Sequence, residues 1–71
     1  MAFNYGKLLG RMKEMGLTQQ ALATKIGSNS PMMSAKLNNK YTFTVKEIEA
    51  ICKVLDIPKD EIGLYFFTQK V

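Results

Sequence analysis

The sequence predicts an all-α fold, five short helices closed into one compact domain over residues 1–71. Three observations predict it. Apolar residues recur at three- and four-residue spacing over 8–15, 17–26 and 45–55, the pattern of helices with one buried face. Residues that cap helices, Asn4, Thr18 and Thr44, stand where these segments begin, and Gly16 and Gly27 stand where the first two end. Between Thr18 and Asn39, in TQQALATKIGSNSPMMSAKLNN, two helical segments follow each other with only Gly27 and Ser28 between them. That stretch reads as a helix-turn-helix motif.

The first helix is expected over Asn4–Met15, capped by Asn4 and ended by Gly16. Leu8, Leu9, Met12 and Met15 form its buried stripe, and Lys7, Arg11 and Glu14 face water. Thr18 caps the second helix, which runs to Ile26, and Leu17 with Leu22 has the spacing of a hydrophobic staple. Leu22, Ala23 and Ile26 point inward. Ala23 is small enough to let the next helix approach, Gly27 can take the left-handed conformation that turns the chain, and Met33 locks the pair together. The third helix starts at Asn29 or Ser30. Ser30 as cap with Pro31 as first helical residue is its start signal, since proline there lacks only an N–H that has no partner anyway. Met33 and Leu37 point inward, and Asn38-Asn39 ends the helix. A loop covers 40–43.

The fourth helix has the clearest start. Thr44 and Glu47 make a capping box, and Phe43 with Ile48 makes a second staple. Its stripe is Val45, Ile48, Ile51, Cys52 and Leu55, and Asp56 lies at its end. Pro58 opens a short fifth helix through about Gly63, with Asp60 and Glu61 favourably placed in its first turn. A tail, 64–71, carries Tyr65, Phe66 and Phe67.

Composition narrows the function. The chain has no histidine and one cysteine, Cys52. Histidine-activated nucleophiles, histidine metal ligation, an intrachain disulfide and a thiolate metal site are all excluded. No glycine-rich phosphate loop occurs. No enzymatic activity, metal or cofactor is therefore expected, and Cys52 is expected to be a structural, buried thiol. No apolar run approaches the ~20 residues of a membrane span, and MAFNYGKLLG lacks the build of an export signal. The net charge is +4 and unevenly spread. Residues 1–46 hold seven bases and one acid, a net +6, whereas 47–71 hold three bases and five acids, a net −2. A polyanion would meet the half that contains the motif.

GLTQQALATKIG, MSAKLNN and TVKEIEAICKVLDIP, in this order and spacing, resemble the Cro/C1 type of phage-repressor helix-turn-helix domain over roughly residues 5–62. The end EIGLYFFTQKV is similar to small Cro-like proteins of temperate phages of Gram-positive bacteria, the group that includes modulators of repression. The resemblance implies a phage-repressor-like five-helix domain in the cytoplasm of a bacterial host, with its motif over 18–39. The second helix would cross the DNA backbone and the third would enter the major groove. Gln19 would touch a phosphate or an edge base. Asn29, Ser30 and Pro31 would lead the third helix into the groove, and Ala35 would face bases. Asn38 and Lys40 would meet the backbone, and Lys36 would snorkel to a phosphate. Lys25 and Lys46 are weaker phosphate candidates.

One departure from that family stands out. Strong base readers are Arg, Lys, Asn and Gln, and of Asn29, Ser30, Pro31 and Met32 only Asn29 makes bidentate bonds. Two functions are therefore expected. In the first, the chain is a phage transcriptional regulator that binds double-stranded operator DNA, as a homodimer on two half-sites, in a lytic–lysogenic switch. In the alternative it is an antirepressor that grips the DNA-binding domain of a phage repressor with the same face, through Gln19, Pro31, Met32 and Lys36. Of Tyr65, Phe66 and Phe67, one or two rings are expected to complete the core and the rest to make a dimer or tail contact.

Overall fold

Side-chain caps set where three of the five helices begin. In the computed structural model, which describes residues 2–70, the order is α1 (Gly6–Glu14), α2 (Gln19–Lys25), α3 (Ser30–Leu37), α4 (Val45–Leu55), a 3-10 turn (Lys59–Glu61) and α5 (Ile62–Phe66). Met1 and Val71, the ends of the expected domain and tail, lie outside the described residues. The Thr18 hydroxyl accepts from the Ala21 amide at 3.0 Å and opens α2. Asn29 Oδ1 accepts from the Met32 amide at 2.9 Å and opens α3. Asn29 is thus the cap, and Ser30 and Pro31 are the first two helical residues. At α4 both halves of the Thr44–Glu47 capping box form.

Several turns require a left-handed residue. Gly16 (φ 69°) and Gly27 (φ 75°) close α1 and α2, and Asn39 (φ 65°) and Asp56 (φ 54°) follow α3 and α4. Asn and Asp are the non-glycine residues best suited to this region.

The core gathers one face of every helix. Leu8, Leu22, Ile51, Leu55 and Met33 are essentially closed to solvent, and Ala23 at 1 % exposure lets α3 pack closely on α2. α2 also packs on α4, and α1 on α5.

The structure corrects the expected faces in several places. Helix α1 starts at Gly6 after Tyr5, and Asn4 lies one residue further out, its Oδ1 accepting from the Gly6 amide. The buried stripe is Tyr5, at the N-cap of α1, with Leu8 and Met12, while Leu9 (41 %) and Met15 (43 %) are exposed. Both sets satisfy helical spacing, and the partner helices select the first. Arg11 does not simply face water: its Nε donates to the Leu55 carbonyl at 2.9 Å, completing the end of α4. Val45 is 73 % exposed, because α4 begins there and its first turn projects past the core.

The fifth helix is displaced. Pro58 leads only into the 3-10 turn, and α5 then runs through Leu64, Tyr65 and Phe66, residues expected in the tail. Phe66 at 1 % exposure closes the core beneath Phe43, edge to face at 5.6 Å. Phe43 also meets Tyr5 edge-on at 5.4 Å. The segments flanking the helices pair with each other. Phe3 and Gln69 form an antiparallel bridge, flanked by the Asn4 amide donating to the Thr68 carbonyl (2.6 Å) and the Lys70 amide donating to the Ala2 carbonyl (3.1 Å).

Candidate interaction face on the helix-turn-helix

Helix α2, the Gly27 turn and α3 carry the candidate face, and Ala23 and Met33 are buried beneath it where α2 packs on α3. Gln19 is the first residue of α2 and is exposed. Pro31 and Met32 are exposed in the first turn of α3, Met32 at 38 %, and Ser30 and Ala35 are half-buried. Asn38 and Lys40 are exposed at the far end. Lys25 and Lys46 are also exposed. The fold therefore brings Gln19, Asn29, Ser30, Pro31, Met32 and Ala35 onto the two motif helices and their turn, as the spacing implies.

What the polar side chains are doing differs from the expectation. Bidentate recognition of adenine needs both the oxygen and the nitrogen of an asparagine amide. The Asn29 oxygen is engaged in its cap. The Asn38 amide nitrogen donates to the Ser34 carbonyl at 2.9 Å.

Lys36 departs furthest. It is 8 % exposed, the one buried charged residue described, and its ammonium donates to both carboxylate oxygens of Glu47. It turns inward to tie α3 to the start of α4 and offers no free ammonium to a phosphate or a partner. Burial pushes the Glu47 carboxyl up. Hydrogen bonds from Lys36 and from Thr44, with the charge of Lys36, outweigh burial and hold it below its ordinary value. One oxygen of Glu47 thus serves both the capping box and the ion pair. A lysine at an apolar position of the third helix, together with a capping-box glutamate nearby, is the signal that could have found this pair.

Asn39 does more than end the α3 segment. Its Oδ1 accepts from the Phe3 amide at 2.8 Å and its Nδ2 donates to the Phe3 carbonyl at 3.0 Å. The expected tail rings divide as well. Phe66 is core, Tyr65 is half-buried with the Lys7 ammonium 5.4 Å from its ring centroid, and Phe67 is 52 % exposed, edge-on to Phe3 at 5.7 Å. Cys52 is half-buried and burial pushes its thiol pKa up, which disfavours the reactive thiolate. It lines a separate open groove of about 750 Å³ between α4 and α5, with Val45, Ile57, Ile62 and Phe67 among its walls.

Among the described residues, no cluster of three His, Cys, Asp or Glu could hold a metal ion, and no helix is long and apolar enough to cross a membrane.

Comparison with known proteins adds two findings. A family described as "Protein of unknown function (DUF739)" matches residues 1–69. The solution structure of the modulator of repression (MOR) of the temperate bacteriophage TP901-1 from Lactococcus lactis is similar over 100 % of this chain and 96 % of that one. The two share 37 % identity, with a TM-score of 0.81. That likeness supports the all-α, five-helix fold across its whole length. Among curated proteins no match is found.

Proposed function

The chain belongs to the DUF739 family, and from that premise we propose that it is a modulator of repression in a temperate-phage switch. It acts as one unit over residues 1–71 in the cytoplasm of the bacterial host. It docks on the DNA-binding domain of a phage repressor through the α2–α3 face and keeps that domain off its operator.

One observation carries this reading. The leading end of α3 presents Pro31 and Met32, while Asn29, Lys36 and Asn38 are each engaged within the protein. Such a surface is poor at reading base edges and suited to a protein partner, where an adaptable methionine fills a partner's relief. The similarity to a phage modulator of repression supports the same reading. Gln19, Pro31 and Met32 are the proposed contacts. Lys36 contributes through its hold on α4.

Operator binding, as a homodimer on two half-sites, is the second reading. Exposed Gln19, Lys25, Lys40 and Lys46 favour it. Titration against the switch-region DNA and, separately, against the DNA-binding domain of the repressor encoded beside it separates the two. A tight repressor complex with only salt-sensitive, nonspecific DNA binding is the expected result. Sequence-specific DNA binding with no repressor complex overturns the proposal. Met32→Asp places a charge in the contact and is expected to weaken the complex at least tenfold, while the thermal midpoint moves little.

A further inference from the structure

We infer that Asn39 is a positioning residue that couples the pairing of segments 2–4 and 68–70 to the set of α3, and so tunes the α2–α3 face from outside it. The inference rests on the docking role proposed above.

The Phe3–Gln69 bridge is flanked by hydrogen bonds from Asn4 to Thr68 and from Lys70 to Ala2. In this register the N–H and C=O of Phe3 itself point to the opposite edge. There the side-chain amide of Asn39 takes both, at 2.8 Å and 3.0 Å, as a neighbouring strand would. Phe3 is therefore held on two sides, by segment 68–70 and by the turn residue that follows α3. The Phe3 ring, edge-on to Phe67, adds a third hold.

Asn39 meets two demands at once. Its φ of 65° needs a residue that tolerates the left-handed region, and its side chain needs a donor and an acceptor on one planar group. Glycine satisfies only the first. The backbone of the same turn continues the connection, since the Asn39 amide donates to Lys36 and the Lys40 amide to Ala35. Lys36 is in turn tied to Glu47. The exposed Met32 lies four residues before Lys36 on the same helix, so a shift at the end of α3 is transmitted along one rigid element rather than through a loop.

Asn39→Gly and Lys70→Pro test this in the full chain. The first keeps the backbone conformation and removes both amide bonds. The second removes the Lys70 donor on the far side of Phe3, away from α3. Each is expected to speed amide hydrogen exchange at Phe3, at Lys40 and in the last turn of α3, with Leu22 and Ile51 unchanged. Each is expected to weaken binding to the repressor's DNA-binding domain about fivefold to tenfold, mainly through faster dissociation. The double variant should lose clearly less than the product of the two, because both break one unit. Asn39→Asp, which keeps the acceptor and loses the donor, should fall between wild type and Asn39→Gly.

Unchanged exchange in the last turn of α3 in Asn39→Gly overturns the inference, as does a double variant whose losses simply multiply. If the wild-type chain does not bind the repressor domain, the proposed function fails, and the exchange pattern alone still decides for or against the coupling.

Discussion

At the level of single residues, a lysine and a glutamate change the meaning of the motif. Lys36 stands where the family resemblance implies a phosphate contact, yet its ammonium is buried against Glu47. Removing one member leaves the other charge poorly compensated. Both side chains keep some access to water, at 11 % and 18 %, so the cost is reduced from that of a fully buried pair. Lys36→Ala is expected to destabilise the fold by about 2 kcal/mol in chemical denaturation, whereas Lys40→Ala, at an exposed site, should change stability by less than about 0.5 kcal/mol. A Lys36→Ala variant that loses binding is thus judged only beside its denaturation curve. The pair also predicts an acid limb. Glu47 holds its proton more weakly folded than unfolded, so its contribution is present above the ordinary glutamate value of 4.5 and is lost as pH falls through its depressed folded value. Thermal midpoints measured from pH 6 to pH 2 should show that loss, and Glu47→Gln should flatten it.

Among the elements, the fifth helix carries more of the core than its length suggests. α5 has five residues, too few to stand alone, and it is held because Phe66 seats between Phe43 and the helices beneath. Phe66→Ala is expected to cost about 3–5 kcal/mol. Phe67→Ala, at a half-exposed ring, should cost about 1 kcal/mol or less, and urea denaturation of the two variants checks the contrast. The starts of α2, α3 and α4 were legible because capping is local chemistry within four residues, and Thr18, Asn29 and Thr44 each announce it. The candidate face was legible in outline for the same reason: Ala23, Gly27 and Met33 set the two helices that carry it. The condition of its side chains was not. The Lys36–Glu47 pair, the Arg11 bond to Leu55 and the Asn39 clamp on Phe3 join residues from 11 to 44 positions apart. No periodicity encodes such pairings. Spacing was also blind to the choice between Tyr5 and Met15 on α1, since each lies on a face shared with Leu8 or Met12.

Across the whole molecule, charge and face together make the two functional readings differ in sign. Exposed Lys25, Lys40 and Lys46 belong to the basic half of the chain, and their charge would act oppositely on the two partners under the two readings. DNA binding would release counterions. If those three lysines each met one phosphate, log K would fall with log salt at a slope of about −2.7, which is a loss of about 40-fold between 50 and 200 mM. A repressor's DNA-binding domain is itself built to meet phosphate and presents positive charge. Contact through Pro31 and Met32 would then form in spite of a like-charge background, which salt screens. The repressor complex is therefore expected to hold its affinity, or gain up to severalfold, over the same salt range. Lys25→Ala with Lys40→Ala should raise the association rate at 50 mM salt and leave it nearly unchanged at 200 mM. Titration calorimetry for affinity and stopped-flow for rate read both quantities. A repressor complex that weakens as steeply with salt as nonspecific DNA binding does would place acidic groups of the partner against these lysines, and would move the docking surface away from Met32.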